Sequence, residues 1–419
     1  MKLSFLLLGL LIVMPLSAQE GGLLDWDIAD IFYLPLPEAP AEEPEDAEVF
    51  SPMALLRPRG FVLDGSFEFT TGFVPGWQVP PWFYTEDSEA EDSFSWGPVA
   101  RMRARFDLDA QVSEFLRIRT SVFFMIPGLD IELREFFFDY NLFNRIFIRG
   151  GRFNQTWGAS PNFPFANLLA RLPDDTPTGD PFILRADIPV GIGGFQFLAL
   201  TRRELLAGEP VRLEDVGYGG RFNLALRWVD INIGAFYQSI MPLRGFLSIN
   251  TTIGRTEWYN EWLGAVDLEH SHNLGGAVSV GFVRDFFRNR LTVNGELFFN
   301  TEQNTFWHRP ETNITEAETL SFNYGLNIAF NLIYRLGGRT GPRLFVQTSY
   351  APLQGSAQLV PGFRLTPLQH LEFYFAVPMS LGNRSGQYFI QTADPIANRP
   401  FAIVMLLTLR GTIRVGQNH

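Results

Sequence analysis

The stretch Gly60-Phe61-Val62-Leu63-Asp64-Gly65-Ser66-Phe67-Glu68-Phe69-Thr70-Thr71-Gly72-Phe73 alternates from end to end. Phe61, Leu63, Gly65, Phe67, Phe69, Thr71 and Phe73 fall on one face of an extended chain, and Val62, Asp64, Ser66, Glu68 and Thr70 on the other. Side chains of a strand point to opposite faces in turn, so this is a strand separating a dry medium from a wet one. Strands of soluble sheets run to about 5–6 residues, whereas a tilted strand needs about 9–11 to cross a bilayer. Length therefore selects lipid as the dry side.

The same texture continues to Gly416. Ala100, Met102, Ala104, Phe106 and Leu108 oppose Arg101, Arg103, Arg105, Asp107 and Asp109. Leu291, Val293, Leu297 and Phe299 oppose Thr292, Asn294, Glu296 and Asn300, and the last run sets Phe401, Ile403, Met405, Leu407 and Leu409 against Thr408, Arg410, Thr412 and Arg414. The pattern predicts about sixteen strands, near 60–74, 97–110, 115–126, 129–142, 144–153, 182–190, 193–202, 216–227, 230–240, 273–284, 289–300, 318–335, 342–351, 356–366, 369–379 and 400–416. Residues 241–272 and 380–399 each have room for a further hairpin, which sets a range of 14 to 18. Short connections alternate with long ones along the chain, as in an up-and-down antiparallel transmembrane β-barrel with tight turns at one rim and loops at the other. The expected fold class is all-β.

Composition agrees. The chain has 419 residues, 46% hydrophobic and 15% aromatic, with 41 Phe, yet mean hydropathy is only +0.03. That is too apolar for disorder and too polar for a bundle of membrane helices. The absence of cysteine excludes disulfide frameworks, thiolate metal sites and cysteine nucleophiles. Lys2 followed by the uncharged run Leu3 to Leu16 and the small pair Ser17-Ala18 reads as a secretory signal over 1–18. Residues 19–58 form an acidic, Pro-rich extension or linker, which carries Trp26, Ile28, Ile31, Phe32 and Tyr33, and the barrel occupies 59–419. Net charge is -12, but ten acids lie between Glu20 and Glu48 and five between Glu86 and Asp92. The rest is near neutral, which argues against a nucleic-acid partner. Lys2 is the only lysine, a bias that either selection for guanidinium contacts or codon usage produces.

Leu133-Arg134-Glu135-Phe136-Phe137-Phe138-Asp139, then Ile146-Phe147-Ile148-Arg149-Gly150-Gly151-Arg152-Phe153 and Thr156-Trp157-Gly158, resemble the paired "REAYVD" and "RVGRQ...WG" strands of the porin superfamily of diderm bacteria. The match covers about 30 residues. Gly151-Arg152-Phe153 lacks the usual Gln, and the chain ends in Gln417-Asn418-His419 rather than the terminal aromatic common in such barrels. The resemblance implies export to the outer membrane, insertion by the barrel-assembly machinery, a surrounding of outer-membrane lipid, and passage of small hydrophilic solutes, with homo-oligomerisation left open. It also implies that the third long connection, 154–181, folds into the barrel.

Carboxylates belong in a wet lumen, so Glu135 and Asp139 face inward and Phe136, Phe138 and Tyr140 face lipid. By the same parity Arg101, Arg103, Arg105, Arg117, Arg119, Arg145 and Arg149 form a basic strip on the lumen wall, interleaved with the acids Asp107, Asp109, Glu135 and Asp139. Asp174, Asp175 and Asp180 of the third connection would oppose it across a constriction, unless that loop is an ordinary surface loop. His270 and His272 share a strand face but have no third ligand, which makes a metal site a weak reading, and no cofactor is implied. No Ser-His spacing singles out a nucleophile, so an enzyme is not expected. Two other readings compete with a passive channel: a barrel whose loops bind a surface partner, and a channel for hydrophobic solutes.

Overall fold

The computed structural model describes residues 60–77, 94–127, 130–155, 157–158, 162–163, 181–201, 213, 216–239, 242–266, 268, 274–301, 325–337, 341–383, 388 and 400–418. Its strands in chain order are β1 (Gly60–Phe73), β2 (Gly76–Trp77), β3 (Phe94–Ser95), β4 (Pro98–Gln111), β5 (Leu116–Ile126), β6 (Asp130–Leu142) and β7 (Ile146–Arg152). There follow β8 (Phe182–Val190), β9 (Gly193–Thr201), β10 (Val216–Ala225), β11 (Val229–Tyr237), β12 (Leu243–Ile253), β13 (Thr256–Val266), β14 (Leu274–Phe286) and β15 (Leu291–Asn300). The remainder are β16 (Gly325–Arg335), β17 (Arg343–Ala351), β18 (Ser356–Leu368), β19 (Leu371–Ala376), β20 (Met379–Gly382), β21 (Phe401–Ala402) and β22 (Val404–Asn418).

The short segments β2, β3, β20 and β21 prolong β1, β4, β19 and β22 past one- or two-residue breaks, so the twenty-two segments make eighteen staves. Every neighbouring pair is antiparallel, and β22 returns to β1 in unbroken register from Gly60 against Asn418 to Phe73 against Met405. The result is an all-β, closed antiparallel eighteen-stranded barrel. Eighteen strands about 4.8 Å apart and tilted about 40° enclose a ring on the order of 35 Å across.

Sixteen staves fall where the alternation predicts them. The other two are β12 and β13, a hairpin inside 241–272. Its pattern is hidden because both faces are partly apolar: Trp258 and Trp262 point outward, while Phe246 and Leu263 are buried on the inner face. The inner face is dry there because another part of the chain lies against it. In β6 a bulge opposite Ser121 and Val122 makes Arg134 the extra residue and resets the register before Glu135.

The outer face is greasy throughout, with Phe61, Phe69, Phe106, Phe136, Phe138, Phe197, Trp262, Phe299 and Leu409 all exposed. The inner face carries most of the buried polar groups, among them Thr70, Arg117, Asp139, Gln196, Glu296, Asn331 and Gln347. One rim is built from tight turns. Gly191 (φ 58°) and Gly254 (φ 66°) each take the first place of a two-residue hairpin turn, where a positive φ matches the twist of the flanking strands. The other rim holds the longer connections, as the parity of the sequence predicts.

Gly281 on β14 lies opposite Tyr259 on β13, with the phenol ring laid over it on the inner face. A side chain there would displace the ring. Gly281→Leu is expected to destabilise the barrel by about 1–3 kcal/mol, measured as a lower temperature for the folded-to-unfolded band shift on heat-modifiability gels; an unchanged transition would show that the ring can move aside.

Candidate functional site

The chain leaves the wall after β7 and returns at Pro181, whose carbonyl accepts from the Phe153 amide at 3.4 Å. Between them, the described residues 153–155, 157–158 and 162–163 lie inside the barrel. Trp157 is fully buried, its indole Nε1 donates to Gln196 Oε1 on β9 at 2.7 Å, and its ring packs against Phe246 on β12 with centroids 5.8 Å apart. Phe163 stacks on Phe298 of β15 at 5.1 Å and 18° between planes. One apolar cluster thus joins Phe137, Phe153, Ile183 and Leu198 on one wall to Leu263, Ala277, Phe298 and Ala329 on the other. The third connection crosses the lumen in its described part.

Asn162 fixes the far end. Its backbone N donates to Glu296 Oε2 at 3.2 Å, and its Nδ2 donates to the same oxygen at 2.7 Å and to Asn294 Oδ1 at 3.1 Å. Asn331 Nδ2 donates to Asn162 Oδ1 at 2.7 Å. The Glu296 carboxylate also accepts from Tyr259 Oη at 3.0 Å and Ser279 Oγ at 2.7 Å. Alternation on β13, β14, β15 and β16 aims these groups at one point, and the carboxylate is 2% exposed. A buried charge requires dense hydrogen bonding, which neutral donors supply here.

The arginines of the opposite wall are spread along its height. Toward the tight-turn rim they have in-wall carboxylates: Arg105 with Asp107 at 2.8 Å, Arg117 with Asp109 at 2.5 Å, Arg119 with Glu135 at 3.8 Å, and Arg149 with Asp139 at 2.7 Å. Arg103 and Arg101 share the inner face of β4, one and two steps nearer the long-loop rim than Arg105. Arg145 lies apart from the strip, exposed in the turn between β6 and β7. Asp174, Asp175 and Asp180 lie outside the described residues, as do His270 and His272.

Four further arginines line the wall where the inserted segment enters: Arg152, Arg185, Arg221 and Arg244. Arg149 lies over Phe137 at 4.2 Å, Arg185 over Phe153 at 5.8 Å, Arg221 over Trp157 at 5.9 Å and Arg244 over Phe236 at 5.2 Å. Arg185 also pairs with Asp187 at 2.9 Å. Such stacking holds the planar cations along the wall and leaves their edges as donors. Their inward parity was readable in β8, β10 and β12, but short neighbouring strands and glycines blurred it. The wall from β16 to β22 is different: Ile333, Phe345, Val360, Tyr374, Val404 and Leu406 form an inward apolar cluster.

Asn162→Ala removes three side-chain hydrogen bonds, one of them to a carboxylate, a loss of order 2–4 kcal/mol of anchoring. The expected outcome is a folded barrel with noisier and larger single-channel conductance, read in planar bilayers beside an unchanged heat-modifiability transition. Conductance equal to wild type would mean that aromatic packing alone holds the segment.

No protein-family model and no curated protein matches the chain. Solved structures do. The crystal structure of Pseudomonas aeruginosa OccK3 (OpdO) is similar with a TM-score of 0.53 at 9% identity, over 85% of this chain and 96% of that one. That of P. aeruginosa OccD3 (OpdP) gives 0.52 at 9%, over 88% and 98%, and P. aeruginosa OpdL 0.52 at 8%, over 85% and 99%. At such identities the likeness is one of fold: this chain shares the barrel of those proteins along almost their whole length.

Proposed function

We propose that this protein is an outer-membrane porin-like channel through which small hydrophilic solutes diffuse passively, with anions favoured. The observation that carries the reading is the inward placement of Phe153, Trp157, Asn162 and Phe163, which narrows the lumen and is pinned by Asn162 opposite a wall of arginines. In a narrowed pore the charge lining the passage sets which ions enter. Arg101 and Arg103, half-buried on the inner face of β4, supply that lining, and Arg152, Arg185, Arg221 and Arg244 pack around the segment. The acids Asp107, Asp109, Glu135 and Asp139 hold Arg105, Arg117, Arg119 and Arg149 in place, and Asp174, Asp175 and Asp180 are proposed as the opposing rim of the constriction. The signal at 1–18, the lipid-facing exterior and the shared fold support an outer-membrane location, reached through the barrel-assembly machinery.

A second reading draws on the apolar inner wall of β16–β22, which suits solutes with an apolar part. Charge and wall are separable by experiment. Purified protein in planar bilayers is expected to open in ohmic steps, and a folded but silent barrel would overturn the channel reading. Changing Arg101, Arg103 and Arg105 together to Gln is expected to move the reversal potential in a salt gradient toward cations by at least about 10 mV, the scale on which rings of charge set selectivity; no movement would remove β4 from the selectivity-setting wall. Phe345→Ser should slow liposome entry of aromatic solutes more than that of sugars if the apolar wall contributes.

A further inference from the structure

Alternation accounts for the inward arginines of β4 and β5, but not for Arg134. Strand β6 runs Asp130-Ile131-Glu132-Leu133-Arg134-Glu135-Phe136-Phe137, with Ile131 and Phe136 exposed on the lipid face and Phe137 buried on the inner one. Strict alternation back from Phe137 and Glu135 would send Arg134 into lipid, a costly place for a guanidinium. The bulge prevents this. Glu132 stands opposite Phe123, Leu133 opposite Val122 and Glu135 opposite Ser121, so Arg134 is the residue left over, and a bulge of this kind re-aims its side chain.

The contacts of Arg134 show the new direction. Its guanidinium lies 5.1 Å over the Phe123 ring, and that of Arg105 lies 5.4 Å over the same ring. Phe123 is an inward residue of β5, directly opposite Arg105 and two positions beyond the fully buried Ser121. An aromatic ring on β5 thus supports one planar cation from β4 and one from β6, and leaves their N–H edges as donors.

What distinguishes Arg134 is access to water. Its side chain is 49% exposed, against 7% to 23% for Arg105, Arg117, Arg119, Arg149 and Arg185. Its ion pair with Glu132 is loose, at 3.5 Å, where tight charge-assisted bonds measure about 2.7–2.9 Å. Arg410 on β22 is equally exposed, but it lies between the carboxylates of Glu68 and Glu372 at 2.8 and 3.3 Å. Position matters as well. Arg134 precedes Phe137 by three residues, about 10 Å of strand toward the long-loop rim, and Phe137 packs edge-on against Phe153 of the inserted segment at 5.6 Å. The guanidinium therefore faces the approach to the narrowing.

We propose that Arg134 is a selectivity-determining residue of the channel: the β6 bulge presents its guanidinium, supported on Phe123, to small anions that enter from the long-loop side. This role rests on the barrel conducting, and it adds to the wall a cation that parity assigns to lipid.

The chain has no cysteine, so Arg134→Cys carries the only thiol. In planar bilayers with KCl near about 0.01 M, where a charge reaches about 30 Å, the ratio of chloride to potassium permeability is expected to fall at least about twofold, the Coulomb effect of one unit charge about 8 Å from an ion in water. A methanethiosulfonate that attaches a trimethylammonium group to the thiol should restore the ratio, and one that attaches a sulfonate should lower it further. Phe136→Cys, on the lipid face of the same strand, should neither react with these water-borne reagents nor change the ratio. Heat-modifiability gels on each variant show that the barrel has folded. Three results would overturn this role alone: a folded, conducting Arg134→Cys with the wild-type ratio, a thiol at 134 that the reagents do not reach, or a lowered ratio that the added cation does not restore. A wild-type barrel that passes no current would overturn the channel reading, and this role with it, before any variant is compared.

Discussion

Backbone hydrogen bonding has no substitute in hydrocarbon, and the pairing of β22 with β1 removes the last unsatisfied edge of this sheet. That single closure dictates much else. It fixes an even number of staves, places both ends of the barrel domain on one rim, and forces every side chain to face either lipid or lumen. Parity then does the work that a hydrophobic core does in a soluble protein: Phe136, Phe138 and Tyr140 go outward, and Phe137, Asp139 and Asn141 inward, because neighbours cannot share a face.

The interior of a ring this wide is too large for wall side chains to fill, and the chain answers with the segment after β7. Trp157 and Phe163 bury themselves against Phe246 and Phe298, and the polar end of the crossing is secured on Glu296. The lumen is consequently sided. Stacked guanidiniums line the entry of the segment, a neutral amide and carboxylate cluster lines its landing, and an apolar wall spans β16 to β22.

What the sequence reveals follows from where alternation is pure. In β1 and β4 lipid lies on one side and water on the other, so the period of two is plain, and the strand limits lie within a residue or two of those expected. In β12 and β13 the inner side touches the inserted segment, and Phe246 and Leu263 turn a two-sided signal into a nearly one-sided one. The hairpin was therefore only a vacancy of the right length. The strip on β4 and β5 was legible from parity alone, whereas the gathering of Asn162, Tyr259, Ser279, Glu296 and Asn331 was not. Those five lie as much as 169 residues apart in the chain, and only the curvature of the closed sheet brings them together. Arg145 shows the opposite limit: its parity was right for the lumen, but a strand that starts two residues later than expected leaves it in a turn.

Amides and hydroxyls anchor the segment on Glu296, with Asn162, Tyr259 and Ser279 as donors. Bonds from neutral donors in a buried site are hardly screened by dissolved ions, whereas the potential of the half-buried guanidiniums Arg101 and Arg103 is. The width of the passage and its charge are thus set by separate chemistries. Ionic strength can retune which solutes are drawn in without altering how large a solute fits.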